Sequence, residues 1–97
     1  MAMHNPPHPG EFIQSVYIDP NHLSCRDVAG KLGVSPSTLH RVLIGRSGIS
    51  ADMALRLSKA LGRTPESWLA MQDSFDLWQA KRTTDLRDVV KVKLVAA

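Results

Sequence analysis

The sequence lacks several features on which whole classes of protein depend. Cys25 is the only cysteine among its 97 residues, so an intramolecular disulfide is excluded. No apolar run approaches the roughly 18 residues of a membrane-spanning helix. The N-terminus also lacks the basic segment followed by an apolar one that a secretory signal has. We therefore expect a cytoplasmic protein that does not enter a membrane.

Residues for catalysis or metal binding are also missing in any usable arrangement. The chain has no glycine-rich phosphate loop, no pair of carboxylates in an apolar setting and no nucleophile beside a base in the sequence. His4 and His8 are four residues apart, but Pro6 and Pro7 between them prevent the helix that would bring the two rings together. The other two histidines have no second ligand at metal spacing. We expect neither an enzyme nor a metal or cofactor site.

Positive charge is concentrated in the middle of the chain. A composition of 43% apolar and 22% charged residues over 97 positions suits one folded domain. The net charge is +3, yet residues 24–63 alone carry +5 and the remainder −2. Clustered basic residues are typical of proteins that bind nucleic-acid phosphates, although a solvated helix surface can carry them too.

Residues 24–46 have the pattern of a helix-turn-helix. Ser24 is placed to cap a first helix, and the acidic residue three positions later can close a capping box. Gly33 stands where that helix must end, because glycine adopts a positive φ without steric cost. Ser35 and Pro36 supply the cap and the first residue of a second helix. The side chains predicted to pack between these helices are Val28, Ala29, Leu32, Val34, Leu39, Val42 and Leu43.

One helix is predicted before this motif. It begins at Pro9 and runs to about Tyr17, and residues 19–21 end it because proline disfavours helix in the residue before it. Its inner face is predicted to consist of Phe12, Ile13 and Val16. Residues 1–8 are polar and proline-rich without periodicity, so we expect a flexible lead there.

Two helices are predicted after the motif. Ser50 caps the fourth helix of the chain, which Gly62 ends. Thr64 and Pro65 start the fifth, which continues to about Lys81. The apolar residues of the fourth helix at helical spacing are Met53, Ala54, Leu57 and Leu61. The fifth carries a stripe on one face that consists of Trp68, Met71, Phe75 and Trp78.

The stripe on the fifth helix has two interpretations. Methionine and aromatic residues at this spacing usually pack in the core, and we expect this of Trp68 and Met71. Phe75 and Trp78 lie farther along a helix that outruns a compact body. Core packing and contact with a second copy or a partner both remain open for these two residues.

The end of the chain has a different periodicity. Val90, Val92 and Leu94 alternate with Lys91 and Lys93, which is the pattern of a strand. A single strand cannot satisfy its own backbone hydrogen bonds, so it would pair with another copy or with a partner. The alternative is a frayed tail.

The helix-turn-helix resembles that of the XRE (Cro/C1 phage-repressor-like) family. Similarity to the HigA antitoxin branch of that family extends to residues 8–11, 48–62, 64–72 and 75–78. The resemblance implies an all-α fold, a five-helix lambda-repressor-like DNA-binding domain at residues 9–82. Residues 83–97 would form a short C-terminal β-strand or an extended tail.

The resemblance also implies which residues meet DNA. The base-reading positions fall on Ser35, Pro36, Ser37 and Arg41. Arg41 is the best reader, because its guanidinium can bond guanine O6 and N7 together. Ser37 discriminates weakly and Pro36 offers only apolar contact, whereas some repressors place long amides there. Phosphate contacts are expected from Ser24, Cys25, Thr38, His40, Arg46 and Ser47.

A HigA-like protein is expected to be an antitoxin. Such a protein is a homodimer on a near-palindromic operator, represses its own operon at the nucleoid and neutralises a HigB-type, ribosome-dependent mRNA endonuclease. Two alternatives remain open. One is a stand-alone XRE repressor without a toxin, and the other is an interaction module that no longer binds DNA. The expected dimer or partner contacts are Phe75, Trp78, Val90, Val92 and Leu94.

Overall fold

Five helices follow one another in the computed structural model, which describes residues 5–95. Helix α1, Pro9–Ile13, continues directly into a π-helical segment, Gln14–Ile18. The others are α2 (Cys25–Leu32), α3 (Pro36–Leu43), α4 (Ala51–Leu61) and α5 (Pro65–Thr83). The predicted all-α, five-helix fold is confirmed.

Helices α2 to α5 begin where the sequence places their caps. The Ser24 hydroxyl accepts a hydrogen bond from the Asp27 N–H at 3.0 Å, and the Ser24 N–H donates to the Asp27 carboxylate at 3.3 Å. Gly33, with φ of 74°, ends α2 as predicted. The same bond to the N–H three residues on is made by Ser35, Ser50 and Thr64. These bonds satisfy donors that the first turn of a helix leaves free.

The core lies where the five helices meet, and Trp68 of α5 is fully buried in it. Its indole Nε1 donates to the Gly62 carbonyl at 3.0 Å, so its only polar atom is satisfied. Leu43 and Leu61 are half-buried at the edge of the core. The other buried apolar residues are Ile13, Ile18, Val28, Ala29, Leu32, Leu39, Val42, Ile49, Met53, Ala54 and Leu57.

The predicted inner face of the first helix is wrong at Val16, which is 44% exposed. Ile18 is buried instead. The cause is the π-helical segment, in which Asp19 N–H bonds to the Gln14 carbonyl five residues back. This wider turn shifts the periodicity by one residue, so the apolar face no longer follows the spacing of an α-helix.

Helix α1 packs directly on α3 through a glycine. A Cβ built on Gly10 would lie 1.9 Å from the Val42 carbonyl oxygen, so only glycine allows this approach. His8 caps α1, and its Nδ1 accepts from the Gly10 N–H at 2.9 Å. Pro6 and His8 are buried, so the lead predicted to be flexible does not include them. Residues 1–4 lie outside the described residues.

The chain forms no strand between residues 84 and 95. A turn in which the Val89 N–H bonds to the Leu86 carbonyl interrupts this segment. Val90, Val92 and Leu94 are 80%, 69% and 71% exposed. The predicted strand therefore does not form within one chain, because no second strand among the described residues supplies backbone partners. Pairing with a second copy stays a prediction.

Candidate nucleic-acid interface

Helix α3 presents a polar face on the side opposite its buried residues. Leu39 and Val42 point into the core, whereas Ser37, His40 and Arg41 are exposed. Ser37 and Arg41 are one helical turn apart and so share a face. Pro36, also exposed, occupies the first position of the helix. The structure thus places three of the four predicted base-reading residues at exposed positions of one helix.

Ser35 and Thr38 have their hydroxyls committed to each other. Ser35 Oγ accepts from the Thr38 N–H at 3.1 Å, and the two hydroxyl oxygens are 2.8 Å apart in a second hydrogen bond. The predicted base contact of Ser35 and phosphate contact of Thr38 therefore use atoms that already cap α3. These hydrogen bonds stabilise the first turn of α3.

The start of α2 lies beside the start of α3. The Cys25 thiol donates to the Pro36 carbonyl with a sulfur–oxygen distance of 3.6 Å. Cys25 and Arg26 occupy the first turn of α2, where backbone N–H groups have no acceptor within the helix. Hydrogen bonds from Ser24 lower the pKa of the Asp27 carboxyl, which is ionised at neutral pH. The Ser24 hydroxyl and N–H are thus bonded to Asp27, and the Cys25 thiol is bonded to Pro36.

The loop between α3 and α4, residues 44–50, folds back onto the end of α3. The N–H groups of Arg46 and Ser47 donate to the Arg41 carbonyl at 2.9 and 3.1 Å. Gly45 makes this return possible with φ of 80°. The Arg46 side chain is exposed and Ser47 is half-buried. The loop therefore holds one cation and one hydroxyl next to the end of α3.

Two of the basic residues counted in the middle of the chain have structural partners instead. The Arg56 Nη1 donates to the Leu32 and Gly33 carbonyls at 3.0 and 3.1 Å, and its Nε pairs with Asp52 at 2.8 Å. The Arg63 guanidinium lies over the Phe12 ring at 5.2 Å. Among residues 5–95, Arg41 and Arg46 form no ion pair. Arg56 and Arg63 thus make contacts within the fold, whereas both arginines of the predicted site have no acidic partner among the described residues.

The predicted dimer contacts belong to two segments of the chain, α5 and the tail. Phe75 and Trp78 are half-buried neighbours with ring centroids 6.5 Å apart. His8 meets the edge of Phe75 at 4.9 Å, and the Arg82 guanidinium lies 4.5 Å from the Trp78 centroid. The exposed apolar side chains of the tail belong to a separate segment. Core packing thus accounts for only part of the Phe75 and Trp78 surfaces.

Three structural roles near the interface are missed by the sequence patterns. Arg56 caps the carbonyl end of α2, His8 caps α1, and Gln72 of α5 bonds to the loop after α3. Arg56 and Gln72 contact residues that are distant in the sequence. His8 is a cap of an uncommon residue type. The visible signal for Gln72 was its position, with Asp76, beside the apolar stripe of α5.

Residues 5–95 contain neither a cluster of metal-binding side chains nor a helix that could span a membrane. No three histidine, cysteine or acidic side chains approach closely enough to hold a metal ion. None of the helices in this range is both long and apolar enough to cross a membrane.

Sequence comparison identifies relatives along most of the chain. The family described as "Helix-turn-helix domain" matches residues 21–68. The uncharacterized HTH-type transcriptional regulator YddM of Escherichia coli K12 is 36% identical over 86 residues, which are 89% of this chain and 90% of YddM. Antitoxin HigA-1 of Vibrio cholerae is 32% identical over 72 residues, or 74% of this chain and 68% of HigA-1.

Solved structures extend this similarity to the fold. Antitoxin GraA superposes with a TM-score of 0.83 at 39% identity, covering 96% of this chain and 99% of GraA. GraA in complex with its operator superposes with a TM-score of 0.81 at 38% identity. That match covers 100% of this chain and 97% of GraA, so the tail is included in it.

Proposed function

This chain belongs to the helix-turn-helix family that includes HTH-type transcriptional regulators and HigA antitoxins, and on that premise we propose that it is an autoregulating antitoxin. The membership agrees with the HigA resemblance of the sequence. Proteins of this family bind DNA and are not enzymes. The same is true of this chain, whose proposed place of action is the nucleoid in the cytoplasm.

The observation that carries the proposal is the match to GraA in complex with its operator. In this proposal α3 enters the major groove, as the second helix of a helix-turn-helix does. Arg41 bonds a guanine and contributes about 1–3 kcal/mol of discrimination. Ser37 adds a weak contact and Pro36 packs against a thymine methyl. Ser35 supports the same contacts by capping the helix.

Phosphate contacts in this proposal come from the two ends of the motif. The free N–H groups at the start of α2 near Cys25 form an anion site, to which the helix dipole contributes. Arg46 and Ser47 contact a second phosphate from the loop after α3. His40, exposed on α3, adds a third contact. Such contacts set the register of the protein on DNA, whereas Arg41 supplies specificity.

A homodimer follows from the small size of one reading surface. One helix-turn-helix contacts only a few base pairs, so tight binding requires two half-sites about one helical turn apart. We assign the dimer contacts to Phe75 and Trp78 and to the exposed tail around Val90, Val92 and Leu94, whose apolar side chains have no cover in the described chain.

We infer the toxin partner from the similarity to HigA-1. HigA-1 is named an antitoxin, and by analogy this chain would neutralise a HigB-type mRNA endonuclease. A stand-alone repressor without a toxin is the second candidate, which the longer match to the transcriptional regulator YddM favours. Both candidates bind an operator in the same way.

Two experiments test this proposal: the first tests operator binding, which both candidates share, and the second separates the two candidates. A gel shift with the DNA upstream of the gene is expected to show binding that an excess of scrambled DNA does not displace; equal displacement by scrambled DNA would contradict operator binding. Expression of the adjacent reading frame alone is expected to arrest growth, and co-expression of this chain is expected to restore it. A neighbour that is harmless when expressed alone would favour the stand-alone repressor.

A further inference from the structure

Gln72 is a buried polar side chain of α5 that bonds to the loop after α3. It is only 6% exposed, and both ends of its amide have partners. Oε1 accepts a hydrogen bond from the Ile49 N–H at 2.8 Å, and Nε2 donates to Asp76 Oδ1 at 2.9 Å. Burial of an amide is unfavourable unless it is hydrogen-bonded, so these two partners fix the position of the side chain.

The Asp76 carboxylate determines which way this amide faces. A carboxylate only accepts hydrogen bonds, and a backbone N–H only donates. Nε2 must therefore face Asp76 and Oε1 must face Ile49. The reversed amide would place donor against donor at one end and acceptor against acceptor at the other. One exposed carboxylate thus selects the orientation that holds the loop.

The loop at residues 44–50 is anchored at both ends. Its first anchor is the Arg41 carbonyl, which accepts from the N–H groups of Arg46 and Ser47. Its second is the bond from Ile49 to Gln72.

Gly48 brings the loop backbone against the Gln72 amide. A Cβ built on Gly48 would lie 3.1–3.3 Å from the amide carbon, nitrogen and oxygen, tighter than ordinary van der Waals contact. Gln72 therefore supports the loop by packing as well as by its hydrogen bond. The supported backbone is one residue from Ser47 and two from Arg46.

We propose that Gln72 is a positioning residue for DNA binding, which with Asp76 holds the loop so that Arg46 and Ser47 meet the phosphate backbone. Gln72 itself touches no DNA. This inference rests on the operator binding proposed above. Asp76 directly follows Phe75, a proposed dimer contact, so one turn of α5 serves both the DNA loop and the dimer surface.

The test uses the full chain and substitutions that keep the size of the side chain. Gln72→Met removes both hydrogen bonds. We expect amide hydrogen exchange at Ile49 to accelerate about tenfold or more without DNA. We also expect the salt dependence of operator affinity to fall by about 0.9 in log–log slope per subunit, as one lost phosphate contact predicts. Arg46→Ala should then have little further effect, because the two changes remove the same contact.

A charge-swapped pair provides the matched control. Gln72→Glu places two carboxylates together and is expected to lose the same slope. Adding Asp76→Asn supplies an amide donor opposite the introduced carboxylate, and the double variant should recover operator binding and its salt slope. A double variant that recovers operator binding supports the proposal, and one that stays as weak as Gln72→Glu alone overturns it. This comparison holds even if Gln72→Met fails to fold.

The outcomes also separate this inference from the proposed function. Faster exchange at Ile49 with an unchanged salt slope overturns the positioning role and leaves operator binding intact. A wild-type chain that binds operator and scrambled DNA equally overturns the proposed function and the positioning role with it. A salt slope that Gln72→Met reduces and that Arg46→Ala does not reduce further supports both the positioning role and the proposed function.

Discussion

The helix-turn-helix and the C-terminal part of the chain are held by different kinds of interaction. In α2 and α3 each helix begins with a serine cap and buries its apolar side chains in the core. Beyond Trp78 the side chains are exposed, and the tail forms no strand among the described residues. One chain is therefore sufficient to specify the first region. We infer that the second region acquires its packing from another chain.

Alanine substitution of the two tryptophans of α5 is expected to give the largest difference between the two regions in the free energy of unfolding. Trp68 is fully buried and bonded to the Gly62 carbonyl, so Trp68→Ala should lower the free energy of unfolding by about 3–5 kcal/mol. Trp78→Ala should cost about 1 kcal/mol or less at low protein concentration, where only a half-buried ring beside Arg82 is lost. Urea unfolding of both variants measures the contrast. Equal losses would show that the end of α5 belongs to the core.

Gly10 lies at a close contact between two helices, whereas Gly30 lies in open space. Alanine substitution of each glycine compares the two positions. Gly10→Ala places a methyl group against the Val42 carbonyl and should destabilise the fold by about 3 kcal/mol, as α1 must move away from α3. Gly30→Ala is the control, because nothing lies within 4 Å of its added Cβ. A better helix former there should stabilise the protein by about 0.5–1 kcal/mol. Thermal unfolding distinguishes them, and similar values for both would contradict the α1–α3 contact.

Removal of the tail tests whether it contributes only between chains. A chain that ends at Thr83 should keep its unfolding free energy, because the deleted residues are exposed. Its dimerisation should weaken, and operator affinity with it, by about tenfold or 1.4 kcal/mol. Analytical ultracentrifugation and a gel shift measure these effects. If the truncated chain is as dimeric as the intact one, the dimer contacts lie in α5 and not in the tail.

The smallest expected effect is a pH dependence at His8, which lies between α1 and Phe75. Burial lowers the pKa of His8, with a smaller opposing effect from Asp76 and Glu11. The unfolded chain then binds a proton at a higher pH than the folded one. Stability from this group is complete above the unfolded pKa of about 6.5 and is lost as pH falls below it.

The control for His8 is a cap that does not titrate. His8→Asn keeps an acceptor for the Gly10 N–H, since asparagine is a good helix cap. Its unfolding free energy should vary less between pH 7 and 5 than that of the wild type. The same pH profile for both proteins would place the dependence on another group.

Local signals explain how much of the fold could be predicted from the sequence. Ser24, Ser35, Ser50 and Thr64 act on N–H groups three residues away, so their positions and the helix starts could be predicted together. The π-helical turn that exposes Val16 has no such signal. Its effect on the buried face depends on where α1 meets the other helices.

The candidate site was predictable to the extent that it lies within one helix. Ser37 and Arg41 are exposed on α3 as the motif implies. The contacts of Gln72 with Ile49 and of Arg56 with Gly33 join residues more than 20 positions apart. Periodicity and capping patterns carry no information about such pairs. The same limit applies to the tail, whose expected partner is a second chain.

We propose that α3 reads DNA sequence through Arg41 and that the loop after it holds phosphate through Arg46. Competition between operator and scrambled DNA, measured for the wild type, Arg41→Ala and Arg46→Ala, tests it directly. Arg41→Ala should reduce the ratio of the two affinities by about 1–3 kcal/mol. Arg46→Ala should weaken both affinities about equally and lower the salt slope by about one per subunit. An Arg41→Ala protein with an unchanged ratio would contradict base reading by Arg41.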